Sequence, residues 1–200
     1  MGNVASISAD VNRLLSEGIN SQKILDEQLL PGMAIVGERF KRNEMFLPQV
    51  LMSAQAMQTA IDILKPHLAG NSEARQRHTV VIGTVKGDMH DIGKNLVRIM
   101  LIGAGFEVID LGVNVPAQRF LEASSQHQAA VVCLSALLSS TMNNMKEVVE
   151  AFRGHPDLKN TKILIGGAPV SREFSQSIGA DGYAPTAPAA VEQVQQFCGQ

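Results

Sequence analysis

The 200-residue chain carries 17 basic and 19 acidic residues, a net charge of -2, and 45% hydrophobic residues. That composition suits one or two globular domains with cores of their own, and it leaves no electrostatic footprint for nucleic acid or an anionic membrane. No apolar run reaches the roughly 20 residues that cross a bilayer, and Met1 to Asn12 lacks the basic-then-apolar order of a signal peptide, so a cytoplasmic protein is expected. Cys133 and Cys198 are far apart in sequence and offer no close pair for zinc or redox chemistry. Cys133 lies in the run Ala-Ala-Val-Val-Cys-Leu and reads as a small buried hydrophobe. The absence of Trp and the single Tyr argue against stacking of nucleobases.

From Ser21 to Leu68 apolar residues recur at three- and four-residue spacings: Ile24, Leu25 and Leu29, then Met33, Ile35 and Val36, then Val50, Leu51, Ala54, Met57, Ile61 and Leu64. Pro31 and Pro48 read as turn-like or helix-opening positions. This half predicts a bundle of about four helices. Ala69 to Arg77 is polar, without large apolar residues, and reads as a linker. The expected domains are therefore 1–75, helical with its linker, and 76–200. In the second, strands are expected at Thr79 to Val85, Phe106 to Leu111, Ala129 to Leu134, Lys162 to Ile165 and Gly182 to Ala184. Helices are expected at Ile92 to Ile102, Ala117 to Ser125, Met142 to Phe152, Arg172 to Ile178 and Ala189 to Phe197. Five strands alternating with helices predict an α/β domain, a parallel sheet covered on both faces. Ligands of such sheets bind in the loops at the carboxyl ends of strands, where the strand order reverses.

The loop after the first strand reads Lys86-Gly87-Asp88-Met89-His90-Asp91-Ile92-Gly93-Lys94-Asn95. A carboxylate that accepts from one ring nitrogen of a histidine fixes the tautomer and leaves the other nitrogen for a metal. Asp88 and His90 have the spacing for this. The loop equally fits a plainer reading, in which Asp91 caps the next helix and His90 is a solvated loop residue. Zinc or iron would need further His, Cys or carboxylate ligands close by; His78 opens the strand and belongs to its other end. The P-loop and dinucleotide fingerprints are both missing. One nitrogen ligand suffices only for a metal already held by other donors.

Asp88, His90 and Gly93, then Ser135 and Leu137, then Gly166 and Gly167 reproduce in order, and at matching spacings, the pattern Asp-x-His-x-x-Gly, Ser-x-Leu, Gly-Gly. On these motifs the chain resembles the cobalamin-binding methyltransferase family, with Met45 to Val50 similar to the helical cap of cobalamin-dependent methionine synthase. It is most similar to the stand-alone corrinoid proteins of methylamine and methanol methyltransferase systems. The resemblance implies a four-helix cap followed by a five-stranded flavodoxin-like (Rossmann-like) domain that binds cobalamin or a related corrinoid as methylcobalamin or cob(I)alamin. His90 would be the lower axial ligand to cobalt, Asp88 would hydrogen-bond it, and Thr141 would complete the relay. Gly87, Met89, Asp91, Ile92, Gly93 and Leu137 would contact the cofactor. Ser135 and Ser139 would meet its displaced nucleotide tail, Gly166 and Gly167 would make room for it, and Ala187 would be a further contact. Phe40, Leu47 and Val50 would cover the upper, methyl-bearing face, although at helical spacing they read equally as bundle core.

The implied role is to carry a methyl group on cobalt from a substrate-specific methyltransferase to an acceptor methyltransferase of the tetrahydrofolate or coenzyme M type, with a corrinoid reductive activator as third partner. The chain would then be one component of one-carbon metabolism rather than a complete enzyme. The competing readings are a small subunit of an adenosylcobalamin mutase, which would not need residues 20 to 68, a cobalamin-binding sensor or regulator, and a flavodoxin-like domain without a cofactor.

Overall fold

The computed structural model describes residues 4–68 and 78–199. The chain divides into two compact units, Met1–Arg77 with Ile102–Gly105, and His78–Leu101 with Phe106–Gln200. The expected linker, Ala69 to Arg77, lies outside the described residues.

The first unit is helical. Helix α1 spans Val4–Ser16, α2 Ser21–Ile24, α3 Leu30–Lys41 and α4 Leu47–Leu68, with a π-helical turn at Leu25–Leu29 joining α2 to α3. Two features depart from the sequence reading. The periodicity begins earlier than Ser21: α1 packs along α4 and buries Val11. Its Ser, Asp and Asn residues are poor helix formers that mask the pattern. Nor does the chain turn at Pro31. Helical conformation runs from Ser21 to Lys41, and the turn before Pro31 widens, with Leu30 N–H donating to Leu25 O. A proline inside a helix removes a donor and crowds the carbonyl four residues back; the wider turn absorbs both effects. Pro48, by contrast, sits in the first turn of α4, as expected of a helix-opening proline.

The second unit is the predicted α/β domain. Strands β1 (Thr79–Thr84), β2 (Glu107–Asp110), β3 (Val131–Ser135), β4 (Lys162–Gly166) and β5 (Gly182–Ala184) form one parallel sheet in the order β2-β1-β3-β4-β5. Between them lie α5 (Ile92–Gly103), α6 (Ala117–Gln126), α7 (Asn143–Gly154) and α8 (Arg172–Ser177), and α9 (Ala187–Phe197) closes the chain. Every residue of β1 is buried, which is why it reads as a continuous apolar run rather than an alternating one. On one face Val81, Val132, Leu134, Ile163 and Ile165 pack with Phe120 of α6 and Met145, Val149 and Phe152 of α7. The expected helix at Met142 opens one residue later, because a 3₁₀ turn at Ser139–Thr141 precedes it. Helix α9 starts two residues early, at Ala187, where the Thr186 hydroxyl accepts from Ala189 N–H and caps it.

The strand order reverses at β1. From there the chain crosses to β2 on one side and later returns to β3 on the other, so the loops after β1 and β3 diverge and leave a crevice at the carboxyl ends. The loop after β4 comes very close to the one after β3. Gly167 has φ +134°, and a β-carbon there would lie 1.8 Å from the Ala136 carbonyl oxygen. Gly93, in the first turn of α5, has nothing within 4 Å of the same position. Gly167→Ala is therefore expected to cost at least about 3 kcal/mol, since backbone must move. Gly93→Ala is expected to be neutral or to stabilise by up to about 1 kcal/mol. Urea unfolding of the two variants checks the contrast.

Candidate functional site

Asp88 is the centre of the crevice. It is completely buried, and its two oxygens accept five hydrogen bonds. Oδ1 accepts from the His90 backbone N–H at 3.1 Å and the His90 ring Nδ1 at 2.8 Å. Oδ2 accepts from the backbone N–H groups of Leu137 and Leu138, at 2.8 and 3.1 Å, and from the Thr141 hydroxyl at 2.8 Å. The Thr141 hydroxyl also lies 2.8 Å from Leu138 O, but it has one proton to give and the carboxylate is the stronger acceptor. Burial by itself pushes the Asp88 carboxyl up. The Leu137 N–H, the His90 ring and N–H and the Thr141 hydroxyl outweigh it and hold the group well below the usual carboxylate range.

An ionised Asp88 can only accept, so His90 Nδ1 carries the proton and Nε2 carries the lone pair. The His90 side chain is half exposed and presents that lone pair outward. In the same loop Met89 and Ile92, and just past β3 Leu137 and Leu138, are large apolar side chains left open to solvent. The backbone of the loop is held as well: Thr84 Oγ1 donates to His90 O at 2.9 Å.

A cleft of about 300 Å³, lined from the start of α5 to the start of α9, runs along the other face of the sheet. Ile82, Cys133 and Leu164 form its floor, Val97 and Ala190 its sides, and Ser135, Gly166, Gly167 and Ala187 its mouth. Cys133 is buried there as expected, and burial, reinforced by Cys198, pushes its thiol up to about 12, so it stays neutral. Lys94 also lines the cleft but is almost wholly buried, with its ammonium 2.6 Å from Asp110 Oδ2 and 2.7 Å from Asn95 Oδ1. The wall is thus narrow, apolar and electrically paired.

The structure brings Asp88, His90 and Thr141 together, with Leu137 joining through its backbone, and places Gly93, Ser135, Gly166, Gly167 and Ala187 on the cleft. Asp91 has the plainer role at the start of α5: its carbonyl and carboxylate accept from Asn95 N–H and Nδ2. Ser139 is exposed and outside the cleft lining. Phe40, Leu47 and Val50 belong to the helical unit. Val50 is fully buried there, whereas Phe40 and Leu47 are half-buried and keep some surface. Sequence reasoning missed Thr84, Lys94, Asp110, Asn114 and Asn144, as well as the two backbone N–H donors. A lysine in a first helical turn normally lies in solvent, and backbone donors leave no trace in residue identity.

Among the described residues no group of three or more His, Cys, Asp or Glu could hold a bare metal ion. One oriented imidazole, an apolar rim and an apolar cleft fit a large planar ligand whose metal brings its own equatorial donors. Residues 78–192 match the family described as the B12 binding domain, and residues 1–65 match a second family of the same description. A corrinoid protein of Desulfitobacterium hafniense is 41% identical over 192 residues, covering 90% of this chain and 89% of that one. The trimethylamine corrinoid protein of Methanosarcina barkeri is 39% identical, covering 92% and 85%. Among solved structures, the methanol:cobalamin methyltransferase complex MtaBC of Methanosarcina barkeri is 28% identical with a TM-score of 0.87, covering 100% of this chain and 76% of that one. A cobalamin-binding protein of Desulfitobacterium hafniense is 32% identical with a TM-score of 0.72, covering 98% and 92%.

Fold and site together define a cofactor-binding α/β protein with a helical N-terminal unit. The chain belongs to the B12-binding family of corrinoid proteins, and the group it binds is cobalamin or a related corrinoid. No described helix is long and apolar enough to cross a membrane.

Asp88→Asn puts an NH₂ group where donors converge. At neutral pH it is expected to destabilise the fold by about 3 kcal/mol, the cost of leaving buried partners of a charged acceptor unpaired. The depressed carboxyl stabilises the folded state above its unfolded value of about 4, and the contribution is lost as pH falls toward the lower folded value. Urea unfolding from pH 7 down to pH 3 should therefore show a steeper acid loss for the unaltered protein than for Asp88→Asn.

Proposed function

We propose that this chain carries a methyl group on the cobalt of its corrinoid, between a substrate-specific methyltransferase and an acceptor methyltransferase. The observation that supports the reading most is the half-exposed His90 imidazole, with Nδ1 tied to a buried carboxylate so that Nε2 is left as the donor. Bound there, the corrinoid supplies a cobalt that accepts a methyl group and releases it as a methyl cation.

In this reading His90 Nε2 would be the nitrogen that holds the cobalt of the bound corrinoid. Asp88 orients the ring by accepting from Nδ1, which leaves Nε2 as the donor atom. Thr141, a hydroxyl where the family has Ser most often, holds Asp88 in place. The cleft would receive the cofactor's nucleotide tail, with Ser135 as its polar contact, Gly166 and Gly167 giving clearance and Ala187 flanking it. The curated relatives named for trimethylamine and dimethylamine, and the methanol:cobalamin complex, support a methylamine or methanol methyltransferase as the donor partner. Tetrahydrofolate or coenzyme M is the acceptor class, and a reductive activator completes the system.

The test is direct. The purified protein mixed with cobalamin is expected to give the visible spectrum of a base-off, His-ligated corrinoid. His90→Ala should abolish that spectrum while leaving the fold intact, because the side chain is half exposed. The reduced, loaded protein should then be methylated by a methyltransferase encoded beside it. Inertness to every such enzyme would favour the sensor reading instead.

A further inference from the structure

The turn that delivers Asp88 and His90 is gripped by two side chains to which the proposed function gives no role. Val85 to Asp88 form a β-turn, in which Asp88 N–H donates to Val85 O at 3.1 Å and Gly87 has φ +81°. A positive φ at the third residue marks a type II turn. Turning over the central peptide, here Lys86–Gly87, would convert it to type I.

That one peptide has both polar ends tied. Its carbonyl, Lys86 O, accepts from Asn144 Nδ2 at 2.6 Å, and its amide, Gly87 N–H, donates to Asn114 Oδ1 at 2.7 Å. Asn114 lies in the loop after β2 and Asn144 in α7, which follows β3, so the grips come from segments following the two strands that flank β1. Asn114 holds the turn a second time, through its own N–H to Asp88 O at 2.9 Å. It does so at φ +55°, a conformation that Asn tolerates better than most residues. A flipped peptide would set acceptor against acceptor at Asn114 and donor against donor at Asn144, unless both side-chain amides also turned over. His90 lies between β1 and α5, in neither element, so its backbone depends on this turn and on the bond from Thr84.

We infer that Asn114 and Asn144 are positioning residues that lock the Lys86–Gly87 peptide and so hold His90 in register with the cofactor metal. The inference deepens the proposed function and rests on its assignment of His90. It is tested in the full chain with Asn114→Gly, which keeps the positive φ and loses the acceptor, Asn114→Asp, which keeps both, and Asn144→Ala. Urea unfolding identifies which variants are folded. In the cofactor-free protein, the Gly87 amide followed by NMR should exchange about fivefold faster in Asn114→Gly, the worth of one hydrogen bond, and at the unaltered rate in Asn114→Asp. In the cobalamin-loaded protein at neutral pH, the His-ligated share of the visible spectrum should fall in Asn114→Gly and Asn144→Ala and be restored in Asn114→Asp.

Unchanged Gly87 exchange in a folded Asn114→Gly variant overturns the lock. So does a full His-ligated spectrum in both folded variants that lack a grip, or an Asn114→Asp protein as impaired as Asn114→Gly. An unaltered protein without any His90-dependent spectrum overturns the proposed function instead, and the exchange rates still decide the lock.

Discussion

A single buried carboxylate organises this site. Asp88 has no exposed surface, and a buried charge is tolerable only when its oxygens are saturated with donors. The donors come from His90 in its own loop, from the chain just past β3 and from the 3₁₀ turn before α7. Satisfying Asp88 therefore draws together loops that the reversal of strand order would otherwise let diverge. It also settles which ring nitrogen of His90 bears the proton. Loop closure and ligand tautomer are two consequences of the same charge.

The rest of the second unit gives that polar point an apolar setting. The sheet residues opposite the α6–α7 core, Ile82, Cys133 and Leu164, become the floor of a cleft. Gly166 and Gly167 keep its mouth clear, and the second lets two loops pass at backbone distance. Lys94 would charge the wall but is neutralised by Asp110. One oriented nitrogen donor and an apolar cleft suit a large ligand whose metal brings further donors of its own. Both units match families described as B12 binding domains, so the helical N-terminus is part of the same adaptation and not an unrelated attachment.

Legibility varied along the chain for physical reasons. Strands β1 to β4 were plain because each is built on Val, Ile or Leu bounded by turn residues, whereas β5, Gly-Tyr-Ala, was a weak signal, and all five fell within two residues of their expected positions. Helix α1 was not legible, because its apolar stripe is diluted by serines and an asparagine. The continuity of helix through Pro31 was not legible either, since it depends on a widened turn that no residue type announces. Within the site, Asp88, His90 and Thr141 were recognisable from motif resemblance. Ser139 shares that motif context yet is exposed and outside the cleft lining, and Val50 carries the right spacing yet is wholly buried.

By itself, the sequence determined the parallel α/β plan and where the candidate loop falls, because periodicity and residue type are local properties; the kind of ligand was legible only through the resemblance of three motifs to a known family. Only the tertiary structure decided what holds that loop. The donors to Asp88, the two asparagines on one peptide and the Lys94–Asp110 pair are contacts between residues distant in the chain. Most use backbone groups or ordinary polar side chains, whose partners are chosen by where the folded chain brings them and not by what they are.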